Sequence, residues 1–113
     1  MYDGGVREPL LARWPGGARS GSRASAPAIT ADLCPTLLAA AGLPLLPEKR
    51  RDATSLLALL RGEPITRCPI FWYYPHYSNQ DGEPAAAARD GRWRLICFYD
   101  GPRLELYDPS SDV

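Results

Sequence analysis

Lysine is nearly missing from this chain: Lys49 stands alone beside twelve arginines, and histidine and methionine occur once each, as His76 and Met1. Thirteen basic residues balance thirteen acidic ones, so no global field steers the chain onto nucleic acid or an anionic membrane. The arginine excess reads as a GC-rich coding bias rather than a binding surface. No apolar run reaches 18 residues, and no basic segment leads into a short apolar one. Neither a membrane span nor a signal peptide is therefore visible in the 113 residues, although Met1 need not be the true start of the protein. Three cysteines, Cys34, Cys68 and Cys97, are odd in number and widely spaced, which excludes a disulfide framework or a zinc pattern. Each is expected to be a small buried hydrophobe. Long periodic segments are also scarce, because Pro and Gly supply 22 of the 113 residues. An apolar fraction of 45% nonetheless argues against disorder of the whole chain.

The clearest pattern is Thr30 to Gly42, T-A-D-L-C-P-T-L-L-A-A-A-G. Leu33, Leu37, Ala40 and Ala41 repeat at i, i+4, i+7 and i+8 and form one face of a helix, widened by Leu38. A cap at Asp32 places Pro35 at the third helical position, where its missing N–H costs nothing. Gly42 at C′ and Pro44 beyond it end the helix. So short a helix needs a surface to lie on. A second helix over Leu56–Arg61 is predicted, capped by Thr54 or Ser55 and closed by Gly62, with the charged run Glu48–Asp52 as a turn before it. Leu10–Trp14 is a short strand candidate. Gly16–Ala26 is a loop, whose Arg19 and Arg23, with Arg13, either touch an anion or are simply solvated.

The second half is strand-rich. Ile70–Tyr73 has strand propensity and Pro75 stops it. A polar loop, His76 to Pro84, follows, with a turn at Asp81-Gly82. Asp90-Gly91 is a hairpin signal between an alanine strand and Arg92–Tyr99, and Asp100-Gly101 turns the chain into Leu104–Tyr107. Trp93, Leu95, Cys97 and Tyr99 share one face of that strand, while Arg92, Arg94, Ile96 and Phe98 share the other. The expected result is a three-stranded antiparallel meander covered by the 33–41 helix, burying Leu33, Leu37, Trp93, Leu95 and Tyr99. Trp72, Tyr73, Tyr74 and Trp93 suit a base-stacking platform in shape, but without net positive charge we assign most of them to the core.

Taken in order, D-G-G-V-R-E-P-L-L-A-R-W-P-G, T-A-D-L-C-P-T-L-L-A-A-A-G-L-P, D-A-T-S-L-L-A-L-L-R-G, F-W-Y-Y-P-H-Y, A-A-A-R-D-G-R-W-R-L-I and L-E-L-Y-D resemble the C-terminal portion of a formylglycine-dependent sulfatase of the arylsulfatase type. The parent fold implied is α/β, alkaline-phosphatase-like, and the fragment itself is α+β, a small antiparallel sheet with one or two short packing helices. The resemblance divides the chain into residues 1–62, the end of the main catalytic body, and residues 63–113, a C-terminal antiparallel sheet region. It implies hydrolysis of sulfate esters of aryl or carbohydrate substrates. Calcium and a formylglycine made within C/S-x-P-x-R are implied for the full-length family member, but no cofactor is expected in this chain itself. The modification motif, the metal ligands and the sulfate-binding lysine lie upstream in the family. Cys34 is followed directly by Pro35 and matches a later helix, so it is rejected as the nucleophile. The chain departs from the family pattern at Asp3, Glu8, Ala53 and Arg94. Glu8 is the least comfortable of these, because its charge has to be solvated or paired.

No catalytic residue and no metal ligand is assigned here. By resemblance, Arg7 lies at the margin of the active site, with Gly4 and Gly5 shaping the loop beside it; the plain alternative is an ion pair between Arg7 and a local carboxylate such as Asp3. His76 is placed toward the substrate pocket with Tyr77, Asn79 and Gln80 as polar neighbours suited to a sugar, or else it is a structural histidine bonded to backbone. The leading expectation is a sulfatase fragment, inactive alone, whose partner is the missing N-terminal part of the domain and whose parent takes a sulfated small molecule or carbohydrate. No nucleic-acid or membrane partner is expected, and such parents are often periplasmic or secreted. The rival is a free-standing interaction or carbohydrate-binding module that keeps the aromatic and His76 loop.

Overall fold

The computed structural model describes residues 2–45, 52–79, 82–101 and 103–111. Most of the expected Glu48–Asp52 turn, and half of the Asp81-Gly82 turn, fall outside them. Helices α1 (Asp3–Val6), α2 (Leu33–Ala40) and α3 (Leu57–Arg61) precede strands β1 (Ile70–Tyr74), β2 (Ala85–Asp90), β3 (Trp93–Phe98) and β4 (Arg103–Tyr107). The chain divides into two units, a helical one at Pro9–Cys68 and a sheet one built from Met1–Glu8 and Pro69–Val113.

In the helical unit α2 begins after Asp32 and ends at Ala41, with Gly42 at φ 68°. The Leu43 N–H donates to the Leu38 carbonyl at 2.9 Å and the Gly42 N–H to that of Ala39 at 3.2 Å, the paired bonds that close a helix through a left-handed residue. The same closure ends α3, where Gly62 has φ 86° and the Glu63 N–H reaches the Ala58 carbonyl at 2.9 Å. A Cβ on Gly62 would find the Arg19 side chain no nearer than 3.8 Å, so the cost of adding one is that of the backbone alone. Gly62→Ala is therefore expected to destabilise the helical unit by about 1 kcal/mol, read as faster hydrogen exchange at the Glu63 amide.

The buried face of α2 differs from the predicted one. Leu33 and Leu37 are exposed, while Asp32, Pro35 and Thr36 are buried. Thr36 is the reason: its hydroxyl donates to the Asp32 carbonyl at 2.6 Å and accepts the Leu56 N–H at 2.8 Å, and one residue along a helix is a 100° turn away from Leu37. Asp32 occupies the capping position without capping α2. Its carboxylate instead accepts the N–H groups of Ile29 and Thr54, each at 2.8 Å, and pairs with Arg67 Nη1 at 2.6 Å. The α3 cap also differs, since Leu56 takes that place and the Ser55 hydroxyl accepts the Leu57 N–H at 3.3 Å. The expected Leu10–Trp14 strand is absent: the segment is irregular and leads into a turn at Trp14–Gly17. A Cβ at Gly17 would sit 2.2 Å from the Trp14 ring, so only glycine permits that approach. Arg13, Arg19 and Arg23 are exposed.

The sheet has four antiparallel strands in the order β1-β2-β3-β4; the meander gains β1, which pairs with β2. Gly91 at φ 53° makes the hairpin at Asp90-Gly91. Register assigns Ile70, Trp72, Tyr74, Ala85, Ala87, Arg89, Arg94, Ile96, Phe98, Arg103, Glu105 and Tyr107 to one broad face, and the alternating residues to the other. The first is the buried face, with Ala85, Ala87, Ile96 and Phe98 at its centre and Trp72 and Tyr107 packed against them. The expectation that Trp93, Leu95 and Tyr99 are buried is thus corrected, because the strand turns its other face inward and leaves these three exposed. Arg94 is 2% exposed, with its guanidinium 5.1 Å from the centre of the Trp72 ring. The aromatics follow suit: Tyr73, Tyr74 and Trp93 are exposed rather than core. The cysteines are corrected too, since Cys34 and Cys68 are exposed and Cys97 is half-buried. Cys34 and Cys97 each stand one position from a buried residue, Pro35 and Ile96, and so face away from the covered side of their element.

Candidate functional site

The β1–β2 loop and the β3–β4 turn leave the same end of the sheet, because Tyr74, Ala85, Phe98 and Arg103 lie in one cross-strand row. That places the candidate residues of the loop beside Asp100. The Tyr77 hydroxyl donates to Asp100 Oδ2 at 2.5 Å, and this bond and the carboxylate's charge hold the Tyr77 phenol above its usual range. The Ser78 N–H donates to the Gly82 carbonyl at 2.9 Å, so the loop is closed on itself. His76 is exposed, its ring edge-on to Tyr74 at 6.1 Å between centroids. Asn79 is exposed as well, and Gln80 lies outside the described residues.

Gly4 and Gly5 belong to the single helical turn α1, with neither a left-handed φ nor a close neighbour. Arg7 and Glu8 are exposed, so the Glu8 charge is solvated. What fixes the N-terminal segment is Tyr2, which sequence reasoning passed over. Its hydroxyl donates to Glu105 Oε2 at 2.9 Å, and its ring meets that of Tyr107 edge-on at 5.8 Å. The Tyr107 hydroxyl donates to the same carboxylate oxygen, and Arg103 Nε donates to Glu105 Oε1 at 2.6 Å. Donors on both oxygens lower the Glu105 pKa, chiefly through Tyr107 and Tyr2, and the shared oxygen raises that of Tyr107. No described contact joins Arg7 to His76.

Among the described residues no three His, Cys, Asp or Glu side chains converge to hold a metal ion. They do not fit calcium, which takes six to eight oxygens. In the helical unit Ser22–Ala26 face Leu59 and Gly62–Ile65 across an open groove of about 440 Å³.

All of residues 1–113 match a family model described as N-sulphoglucosamine sulphohydrolase, C-terminal. The chain belongs to the sulfatase family. Human arylsulfatase A is 38% identical to this sulfatase chain over 100 residues, covering 88% of it and 19% of the human protein. A sulfatase of Formosa agariphila is 30% identical over 123 residues, which is 99% of this chain and 22% of that one. The N-acetylglucosamine-6-O-sulfatase of Bacteroides thetaiotaomicron is 30% identical over 118 residues, covering 99% and 21%. In structure the sulfatase chain is similar to a crystallised Bacteroides thetaiotaomicron protein assigned as a sulfatase, with a TM-score of 0.53 and 29% identity over 72% of this chain and 18% of that one. The sulfatase chain thus spans about a fifth of the length of the relatives it matches. The small antiparallel sheet with short helices is consistent with a piece of the alkaline-phosphatase-like fold expected from the sequence motifs.

Proposed function

We propose that these residues complete the fold of a sulfate-ester hydrolase and furnish one wall of its pocket, with the chemistry carried by the remainder of the polypeptide. The observation that carries this reading is the match of the whole chain, residues 1–113, to a C-terminal sulfatase model. Within it, the Pro75–Asn79 loop and Arg7 stand at the pocket margin. The exposed His76 imidazole has one face of contact, Tyr74, and its nitrogens are left to donate to or accept from a sugar hydroxyl or sulfate oxygen. Arg7 supplies a permanent positive charge for an anionic ester. Calcium and formylglycine belong to the remainder in this reading.

The test has two parts. An antibody against the sheet region is expected to detect, in the source cells, a polypeptide about five times the length of this chain; a species of 12.4 kDa alone would favour the free-standing module. In that longer protein His76→Ala is expected to raise KM for a sulfated sugar roughly fivefold, with kcat within a factor of two, as expected of a residue that binds ground and transition states alike. An unchanged KM removes His76 from the pocket wall.

A further inference from the structure

The exposed broad face of the sheet carries two unbroken cross-strand rows, Phe71–Ala88–Leu95–Leu106 and Tyr73–Ala86–Cys97–Leu104. Neither row contains a charged residue, and Asp90, opposite Trp93, marks the end of the face. The opposite face, buried at its centre, holds the buried Arg94, the half-buried Arg89 and Glu105 and the exposed Arg103. This inverts the usual arrangement of a one-sided antiparallel sheet, in which the face toward water carries the charges. Phe71 and Tyr73 are each 73% exposed, Leu104 69% and Leu106 62%, with Trp93, Leu95 and Tyr99 at 40% or above. At about 200 Å² for a fully exposed large side chain, the seven present roughly 800 Å². That exceeds the largest apolar patch of a typical monomer, about 300–600 Å², and equals one partner's share of a standard stable interface.

We infer that this face is the seam on which the remainder of the sulfatase polypeptide docks, through an uncharged surface rich in leucine and aromatic side chains. The inference rests on the reading of the chain as part of a longer enzyme. Its occupant follows from length and charge: the relatives carry about four-fifths of their residues outside the matched region, and the two rows, with charge only at the Asp90 end of the face, give a charged partner little to pair with. The broad side, not an edge, is offered, so recognition is by side-chain packing and not by strand addition.

Cys97 sits in the second row between Ala86 and Leu104 and reports on the seam. In a background of Cys34→Ser and Cys68→Ser, a maleimide is expected to label Cys97 at least tenfold more slowly in the longer native polypeptide than in the 113-residue chain, with equal rates in denaturant. Leu104→Glu with Leu106→Glu in the longer polypeptide is expected to restore labelling. A longer polypeptide whose native Cys97 reacts as fast as in the short chain overturns the docking alone. Absence of any longer polypeptide overturns the underlying reading and the docking with it. Protection of Cys97 in the 113-residue chain, rising with its concentration alongside a dimer in light scattering, makes a second copy the occupant and also overturns the proposal.

Discussion

Asp32→Ala is expected to cost the helical unit about 3–5 kcal/mol, the loss seen when one partner of a buried ion pair is removed. Asp32 is fully buried and the Arg67 side chain is 9% exposed. The Nε of Arg67 already finds no hydrogen-bond partner, so without the carboxylate the guanidinium would be left buried and almost unsolvated. The Ile29 and Thr54 amides would lose their acceptor at the same stroke. Domains are stable by only about 5–15 kcal/mol, and a loss of this size approaches unfolding. Hydrogen exchange should show the Ile29, Thr54 and Leu56 amides deprotected together. Asp32→Ala combined with Arg67→Met should recover part of the loss, because an apolar pair of similar volume replaces a buried ion pair at little cost. Protection that survives in the single variant would show that the pair adds little.

Aryl-sulfate turnover by the purified 113-residue chain is expected to match a heat-treated control, with and without millimolar calcium. Sulfate-ester hydrolysis needs a large barrier reduction, and orienting groups such as Arg7 and His76 supply only part of one. No cysteine or serine of the sequence begins an x-P-x-R continuation. Ser25 comes nearest, but Ser25-Ala-Pro-Ala-Ile ends on isoleucine where arginine is required. A modifying enzyme therefore has no motif to act on. Calcium titration by calorimetry should give no binding tighter than about 0.1 mM, the tight end of weak extracellular sites. Turnover that disappears in His76→Ala would show that the chain carries its own chemistry.

Local signals were readable wherever the backbone alone decides. Gly42 and Gly62 closed their helices because only glycine takes the left-handed turn cheaply, and Asp90-Gly91 fixed the hairpin and with it the register of β2 and β3. The ordered motifs from the glycine pair to L-E-L-Y-D were enough to mark the family. Side-chain direction was not readable. Leucine at 33 and 37 makes the more apolar stripe of α2, yet a threonine with two hydrogen bonds won the buried face. In β3, alternation separated two sets of residues but pointed the wrong way, since the set without charge is the exposed one and the set with two arginines carries the buried Arg94, Ile96 and Phe98. Tyr77 with Asp100 and Tyr2 with Glu105 were invisible for another reason: 23 and 103 residues separate the partners, and no local pattern spans such a distance.

The longest of these separations bears on the order of assembly. Each strand of the sheet pairs with its neighbour in sequence, so the hairpins close small loops and can form early. Tyr2, in contrast, has no acceptor until Glu105 has been made. At about 5–20 residues per second, the N-terminal turn waits roughly 5 to 20 s on the ribosome, with the whole of Pro9–Cys68 synthesised in between. A nascent chain arrested before β4 should therefore leave the segment around Tyr2 more open to added protease than one extended past β4.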